Sequence, residues 1–254
     1  MESHHPNHIT HKKKWTEYLL EFFMLFLAVF LGFIAENIRE HVVEKEREKQ
    51  YMQSLLKDMK TDSATLTHLV QLHNDRHLMC DSLTTAFLER NFSNGSSIYY
   101  WGRSITKRQF FFSADGTIQQ LKNSGALRLV SNRSIADQIL AYDVLYRTLL
   151  NQQQLEETQL QDYRLLAAKI FDAGEFKKMQ IFKPGKDATE IFITERPTGN
   201  PQLKDNSPDL LNDVVNKLNY WRAGSNFITF LLNQMREKAT TLIGSLNKEY
   251  HLEQ

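Results

Sequence analysis

Hydrophobic positions are concentrated in one uninterrupted run near the start of the chain. Residues 22–35, FFMLFLAVFLGFIA, carry no charge, and the apolar pattern extends over residues 18–38 when Glu21 and Glu36 are placed near the two membrane interfaces. Roughly 20 helical residues cross a bilayer core about 30 Å thick. The pattern therefore predicts a transmembrane helix over residues 15–38, preceded by a disordered tail over residues 1–14.

A buried helix of a soluble protein and a cleaved signal peptide are the alternatives for this run. The run is apolar on every face, unlike the one-sided pattern of a surface helix. Cleavage before Glu36 would place the large side chain of Phe33 where a signal peptidase needs a small one. Trp15 and Tyr18 stand where aromatic residues meet a membrane interface. These features favour an anchor that is retained.

The numbers of Lys and Arg residues before and after the run are nearly equal, so the predicted orientation depends on how these residues are arranged. Lys12, Lys13 and Lys14 form a compact cluster before the run, with no acidic residue among them. Such a cluster followed by an apolar segment is typical of an uncut signal sequence, which leaves the N-terminus in the cytoplasm. We expect a single-pass membrane protein whose N-terminus is cytoplasmic and whose C-terminal domain is exported.

A second helical pattern follows directly and predicts a stalk helix over residues 39–88. It is rich in residues with high helix propensity. Asp62 and His73 interrupt its seam, and a polar residue on such a seam most often fixes the register of packed helices. The seam positions step by three and four residues: Met52, Leu55, Met59, Asp62, Leu66, Leu69 and His73.

The pattern is irregular between the stalk and the next long helix. Residues 91–97 are a loop by composition. Residues 98–112 are aromatic and partly β-branched, which predicts a packed loop or a short strand whose three consecutive phenylalanines fill the core. A short helix, capped by Asp115 or Thr117, is then expected to end at Gly125.

The clearest helical pattern after the anchor is capped by Ser131 or Asn132 and is about 37 residues, or ~55 Å, long. Gln153 and Glu156 make its middle polar, so we expect it to bend there or to face solvent. Its periodic positions are Ile135, Ile139, Tyr142, Tyr146, Leu149, Gln153, Glu156, Leu160, Tyr163, Ala167 and Ile170.

Residues 172–209 hold four of the five prolines, and the segments MQIF and TEIFIT predict a small β-hairpin near residues 179–194. Two helices are then expected, over residues 208–222 and 225–252, separated by a break at AGSN. The predicted fold is mainly α. Its transmembrane helix continues into the stalk of a helical soluble domain (39–254), which ends in an antiparallel bundle (113–254).

Composition narrows the function classes. The 254 residues include 31 Lys and Arg and 30 Asp and Glu, so the net charge of +1 gives no reason to expect nucleic acid as a partner. A single cysteine, Cys80, excludes an intrachain disulfide. Ten glycines and five prolines are few, which favours long helices.

Candidate chemistry is sparse, and we predict no enzyme, catalytic site or cofactor. His73 and His77 have the i, i+4 spacing of a zinc pair on a helix, although ordinary surface histidines are the simpler interpretation. Glu21 is an ionisable residue within the predicted membrane segment and is therefore a candidate proton carrier. It also lies only one turn from Tyr18, close enough to reach the interface.

Three stretches resemble a family of uncharacterised single-pass membrane proteins of Bacteroidetes-type bacteria. They are KKWTEYLLEFFMLFLAVFLGFIAENIRE, EKEREKQYMQSLLKDMKTD and IQQLKNSGALRLVSNRSIADQILAYD, and the resemblance covers residues 12–62 and 115–145. It implies an anchored helical bundle in the bacterial envelope, which with the orientation above means the inner membrane and a periplasmic C-terminal domain. It supplies neither an activity nor site residues.

Two function hypotheses follow. The first is a membrane-anchored, non-enzymatic scaffold or sensor-like protein, because helices with a three-four seam bury it against helices of the same or another chain. Its partners would be the lipid bilayer and either a second copy or another envelope membrane protein. The second is a single-span subunit of an ion- or proton-coupled membrane complex that uses Glu21.

Overall fold

The computed structural model describes residues 14–107, 109–182 and 192–252, which are mainly helical. The elements are α1 (Trp15–Leu88), α2 (Gly95–Ser104), α3 (Gly116–Asn123), a 3-10 turn (Ala126–Leu129), α4 (Arg133–Ile170), α5 (Ala173–Met179), β1 (Gln180–Phe182), β2 (Phe192–Thr194) and α6 (Pro208–Tyr250). The predicted fold class is confirmed. All but Lys14 of the predicted tail lies outside the described residues. The chain divides into two compact units between Gln50 and Tyr51.

The first unit contains the part of α1 that ends at Gln50. An 18-residue window of this helix has a mean hydropathy of 2.3, and none of the window is buried. Large apolar side chains such as Leu25 and Phe33 are about 70% exposed (71% and 70%). The helix is thus long and apolar enough to cross a membrane, as the pattern of residues 15–38 predicts.

The second unit packs residues 51–88 of α1 against α4 and α6. Helices α1 and α4 run parallel, because their polar contacts join residues separated by the same 80 positions: Asp62 to Tyr142 and Arg76 to Glu156. The predicted stalk range of 39–88 therefore includes residues that form part of the bundle core.

Helix α6 is antiparallel to both neighbours. Its contacts with α4 pair later residues of one helix with earlier residues of the other: Asn132 with Glu249, Gln138 with Ser245 and Asp162 with Lys217. The chain returns from the end of α1 to the start of α4 through residues 89–132, which include α2 and α3. Because of this return, the long helices α1 and α4 run parallel.

Two clusters of buried apolar side chains form the core of the second unit. The first contains residues 52–70 of α1, the N-terminal half of α4 and the C-terminal half of α6. The second contains residues 80–87 of α1, the side chains of α2, the C-terminal half of α4 and the N-terminal half of α6. The core is therefore divided along the helix axes.

The prediction of a packed loop or a strand over residues 98–112 is wrong for its first part, which is helix α2. The side chain of Asn94 accepts a hydrogen bond from Ser97 N at 3.0 Å and caps this helix. Only one of the three phenylalanines fills the core as expected. Phe111 is buried, whereas Phe112 is 71% exposed.

The predicted break at AGSN is also wrong, because α6 continues through residues 223–226. The segment has no proline, and Ser225 is fully buried against α1. Tertiary contacts thus outweigh its weak helix propensity. Helix α5 was not expected; Asp172 caps it by accepting hydrogen bonds from two backbone amides.

Other local predictions are confirmed. Gly125 has a positive φ of 70°, the conformation expected just after a helix end. Asn132 caps α4 by accepting a hydrogen bond from Ser134 N at 3.0 Å. Strands β1 and β2 pair antiparallel with Ile181 opposite Ile193. The turn predicted between these strands lies outside the described residues.

Candidate functional site

A layer of buried polar side chains lies between the two apolar clusters. We call it the polar layer, and its members are His73, Arg76 and His77 of α1, Gln153 and Glu156 of α4, and Ser225 of α6. On each helix the first cluster stops on one side of these residues and the second begins on the other. All six side chains are less than a tenth exposed, so their polar groups depend on each other and on nearby backbone.

An ion pair between Arg76 and Glu156 forms the centre of the layer. Arg76 Nη2 lies 3.3 Å from Glu156 Oε1, and both side chains are 2% exposed. The guanidinium also donates from Nε and Nη2 to Ile105 O, at 3.2 and 2.9 Å. Burial lowers the pKa of Arg76, and the neighbouring carboxylate opposes that shift. A carbonyl and a carboxylate thus hold a cation within the core.

Trp221 of α6 contacts both members of this ion pair. Its Nε1 donates a hydrogen bond to Glu156 Oε1 at 3.0 Å, and its ring lies 4.8 Å from the Arg76 guanidinium carbon. The cation therefore contacts both a carboxylate and an aromatic face. Arg76 Nη1 is buried and has no hydrogen-bond partner among the described residues.

The two histidines form a second chain of hydrogen bonds with Ser225. His77 Nε2 lies 2.9 Å from Ser225 Oγ, and His73 Nδ1 lies 3.4 Å from the same oxygen. His73 Nε2 is 3.4 Å from Gln109 O, which only accepts, so this nitrogen carries the proton. The consistent assignment has His77 donating to Ser225, Ser225 donating to His73, and His73 donating to the carbonyl.

Both histidines are neutral at pH 7. Burial is the main cause that lowers the pKa of each to about 4, and nearby arginines lower it further, Arg76 for His73 and Arg222 for His77. The interpretation of His73 and His77 as surface histidines is therefore wrong. Helix α6 covers them, which the pattern of α1 alone does not show.

In the part of the chain that the structure describes, no metal site is assembled around this histidine pair. Their ring centroids are 6.5 Å apart and the rings are nearly perpendicular. Within the described residues no three His, Cys, Asp or Glu side chains group so that they could hold a metal ion. Burial raises the pKa of the nearby Cys80 thiol to about 12, so it stays protonated.

The expectation that Gln153 and Glu156 face solvent is wrong, since both are buried. A bend of α4 at these residues stays a prediction. Gln153 accepts a hydrogen bond from Phe111 N at 2.7 Å and donates one to Phe111 O at 3.3 Å. It thereby satisfies an unpaired piece of backbone and holds the Phe111 ring in the first cluster. The polar middle of α4 faces the bundle interior because its partners are also polar.

A second polar contact links α1 to α4 within the first cluster. The Asp62 carboxylate accepts hydrogen bonds from Tyr142 Oη and Ala114 N, both at 2.7 Å, and from Ser113 Oγ. Burial raises the pKa of Asp62, and these hydrogen bonds oppose the shift. Residues 62 and 76 are 14 positions apart on α1, as are their partners on α4, so the two contacts fix one helix register.

Glu21, the other predicted candidate, lies in the first unit. It belongs to the segment of α1 whose side chains are exposed, and it is followed by the uncharged residues 22–35. The polar layer is formed by residues of the second unit. Its proposed role as a proton carrier stays a prediction.

Comparison with known proteins adds no relative. No family model, no curated protein and no solved structure matches this chain. The resemblance to single-pass membrane proteins of Bacteroidetes-type bacteria therefore stays a prediction. The apolar helix and the polar layer are the two features of the chain that bear on its function.

Proposed function

We propose that the protein is a membrane-anchored, non-enzymatic scaffold or sensor-like interaction protein of the bacterial envelope. The observation that carries this proposal is the apolar window of α1, which has a mean hydropathy of 2.3 and is entirely exposed. A soluble core helix with the same composition would be buried by its own domain. Exposed apolar side chains on all faces of a helix are stable in lipid rather than in water.

The bundle supports a structural rather than a catalytic role. The side chains of the polar layer are buried, and they bind one another or the backbone, as Arg76 and Glu156 do. Groups satisfied in this way specify helix positions, since a displaced helix leaves charges without partners. Helix α1 carries both the apolar window and three members of the polar layer. A sensor-like role would use this continuity.

The proposed location is the inner membrane, with the N-terminus in the cytoplasm and residues 39–254 in the periplasm. The test is protease digestion of intact spheroplasts that express the full chain with a tag after Gln254. We expect loss of the tag while a cytoplasmic reporter protein stays intact. Protection of the tag until lysis would reverse the orientation, and recovery of the chain in the soluble fraction would overturn the anchor.

The alternative, a subunit of a proton-coupled complex, depends on Glu21 alone. Within residues 18–35 this is the one ionisable side chain besides the Tyr18 phenol. Glu21→Gln should then abolish the function of the protein in the cell without lowering the protein level. Glu17→Gln, one turn earlier on α1, is the matched control. Equal function of both variants would leave the interaction role.

A further inference from the structure

Helix α6 has a second seam on the side opposite its core. Its residues are Tyr220, Ala223, Phe227 and Phe230, separated by three, four and three positions, and we call it the outer seam. Tyr220 is 70% exposed, Phe227 44% and Phe230 55%. The rings of the two phenylalanines are stacked with centroids 6.2 Å apart. Large exposed aromatic side chains in one row mark an interaction surface.

The spacing identifies the kind of partner. Steps of three and four place side chains on one face of a helix, which is the arrangement that packs against another helix. The core of the second unit uses different positions of α6, including Trp221, Ile228 and Leu232, which are buried. The outer seam is therefore additional to the packing against α1 and α4.

Its charges favour an identical partner. Uncharged Asn219, Asn226 and Asn233 lie along one flank of the outer seam. The charged side chains next to it on α6 are paired within the chain: Arg222 hydrogen-bonds Asp81 of α1 at 3.1 Å, and Lys217 donates to Asp162 of α4 at 3.0 Å. Two copies of a neutral surface meet without the like-charge repulsion that keeps charged surfaces from pairing with themselves. A different partner is normally selected by charges on such flanking positions.

We infer that the outer seam is a dimerisation surface, on which α6 packs against α6 of a second copy of this chain. The inference rests on the proposed membrane anchor. The three aromatic side chains expose roughly 350 Å² on each copy, given their typical areas. Stable dimers of soluble proteins bury about 800 Å² per partner, so this surface alone gives a weak dimer. Anchoring in one membrane raises the effective concentration and makes the weak contact sufficient.

The test is disulfide crosslinking of Ala223→Cys in native membranes that contain the full chain. Ala223 is exposed, and because the twofold axis of such a dimer passes through the outer seam, a residue within the seam lies close to its equivalent in the second copy. The native Cys80 is buried and stays in place. Asn151→Cys, at an exposed position of α4, is the matched control. We expect at least five times more homodimer from Ala223→Cys after mild oxidation.

A second variant tests whether the aromatic side chains cause the contact. Adding Phe227→Glu and Phe230→Glu to Ala223→Cys should reduce the homodimer at least fivefold, while the helical content measured by circular dichroism stays unchanged. Equal crosslinking at residues 223 and 151, insensitivity to the glutamates, or a crosslinked product with a different protein would each overturn the inference.

Failure of the anchor is distinguished in the same samples. Carbonate extraction shows whether the chain is integral to the membrane, independently of crosslinking. If the chain is extracted, the purified protein at high concentration is oxidised instead. Preferential crosslinking at residue 223 then upholds the outer seam without the anchor, and its absence rejects the outer seam as well.

Discussion

The two parts of α1 reverse the usual relation between polarity and burial. Up to Gln50 the helix exposes large apolar side chains, and none of its hydropathic window is buried. From Tyr51 onward it buries Asp62, Arg76 and two histidines in the core of a bundle. The comparison shows that the surroundings of each part of a continuous helix, whether water, lipid or other helices, determine which side chains that part can carry.

The buried charges are tolerated because each has a partner within the bundle. An ion pair in a core is weak support for stability, because the desolvation of both groups offsets their attraction. Its effect is on specificity. A shift of α1 by one turn along α4 would separate Arg76 from Glu156 and Asp62 from Tyr142 together. The register is thus fixed at two places, one of them inside the apolar cluster.

Charges introduced into the first part of α1 should have the largest effect. Leu27→Arg combined with Leu31→Arg costs about 5–7 kcal/mol of membrane insertion free energy, since each arginine near the bilayer centre costs roughly 2.5–3.5. We expect the chain to leave the carbonate-resistant fraction. Leu27→Ala with Leu31→Ala is the control and should remain inserted. An arginine variant that stayed in the membrane would contradict the anchor.

Removing one charge of the buried Arg76–Glu156 pair should have a slightly smaller effect in free energy. Glu156→Ala leaves Arg76 buried without its carboxylate and removes the acceptor of Trp221 Nε1. We expect a loss of about 3–5 kcal/mol in the free energy of unfolding, measured by urea titration of the full chain in detergent. A loss under about 1 kcal/mol would show that the pair is solvated.

The double variant Arg76→Met with Glu156→Met separates the two explanations of such a loss. If an unmatched buried charge is the cause, removing both charges should restore most of the stability. If packing is the cause, the two losses should add.

The sequence already contained part of this site. Arg76 continues the three-four seam of α1 after His73, and Glu156 lies on the periodic face of α4, so both charges occupy core positions. What the pattern does not reveal is that these positions meet, because the parallel arrangement of α1 and α4 depends on the return through residues 89–132. Ser225 carries even less signal, since its role comes from two histidines 148 and 152 positions away.

Other elements divide in the same way. The apolar run, the long α4 and the cap at Asn132 depend on local sequence, and the structure has them where expected. Helix α2 and the continuous α6 depend on tertiary packing, which overrides local propensity. The error over Gln153 and Glu156 has the same origin, because a polar residue on a helix is placed outside unless its buried partner is known.

Acid should destabilise the chain through the histidines of the polar layer. Each has a pKa of about 4 in the fold, below the value of 6.5 expected when unfolded. The unfolded chain therefore binds protons that the folded chain does not, and stability is lost as the pH falls from 6.5 towards 4. The charged neighbours that disfavour protonation are Arg76 and Arg222, while Asp81 and Glu156 supply negative charge.

The measurement is the urea midpoint at several pH values for the wild type and for His73→Gln. We expect the wild type to lose about 2 kcal/mol more than the variant between pH 7 and pH 4.5. Asp62, whose raised pKa acts in the opposite direction, is present in both chains and cancels. Parallel pH curves would mean that His73 is protonated in the fold or reaches solvent.

The smallest effect is expected for the exposed ion pair of the first part of α1. Arg39 Nε donates to Glu36 Oε2 at 2.9 Å, within one helical turn, and both side chains are well over half exposed. Glu36→Gln should leave the urea midpoint unchanged, since water replaces what the carboxylate provides. Set against Glu156→Ala, this variant tests whether burial alone separates two arginine–glutamate pairs that involve the same helix. If Glu36→Gln destabilised the chain as much as Glu156→Ala does, the exposed segment would have to be packed against another chain, and the search for that partner would begin at Arg39.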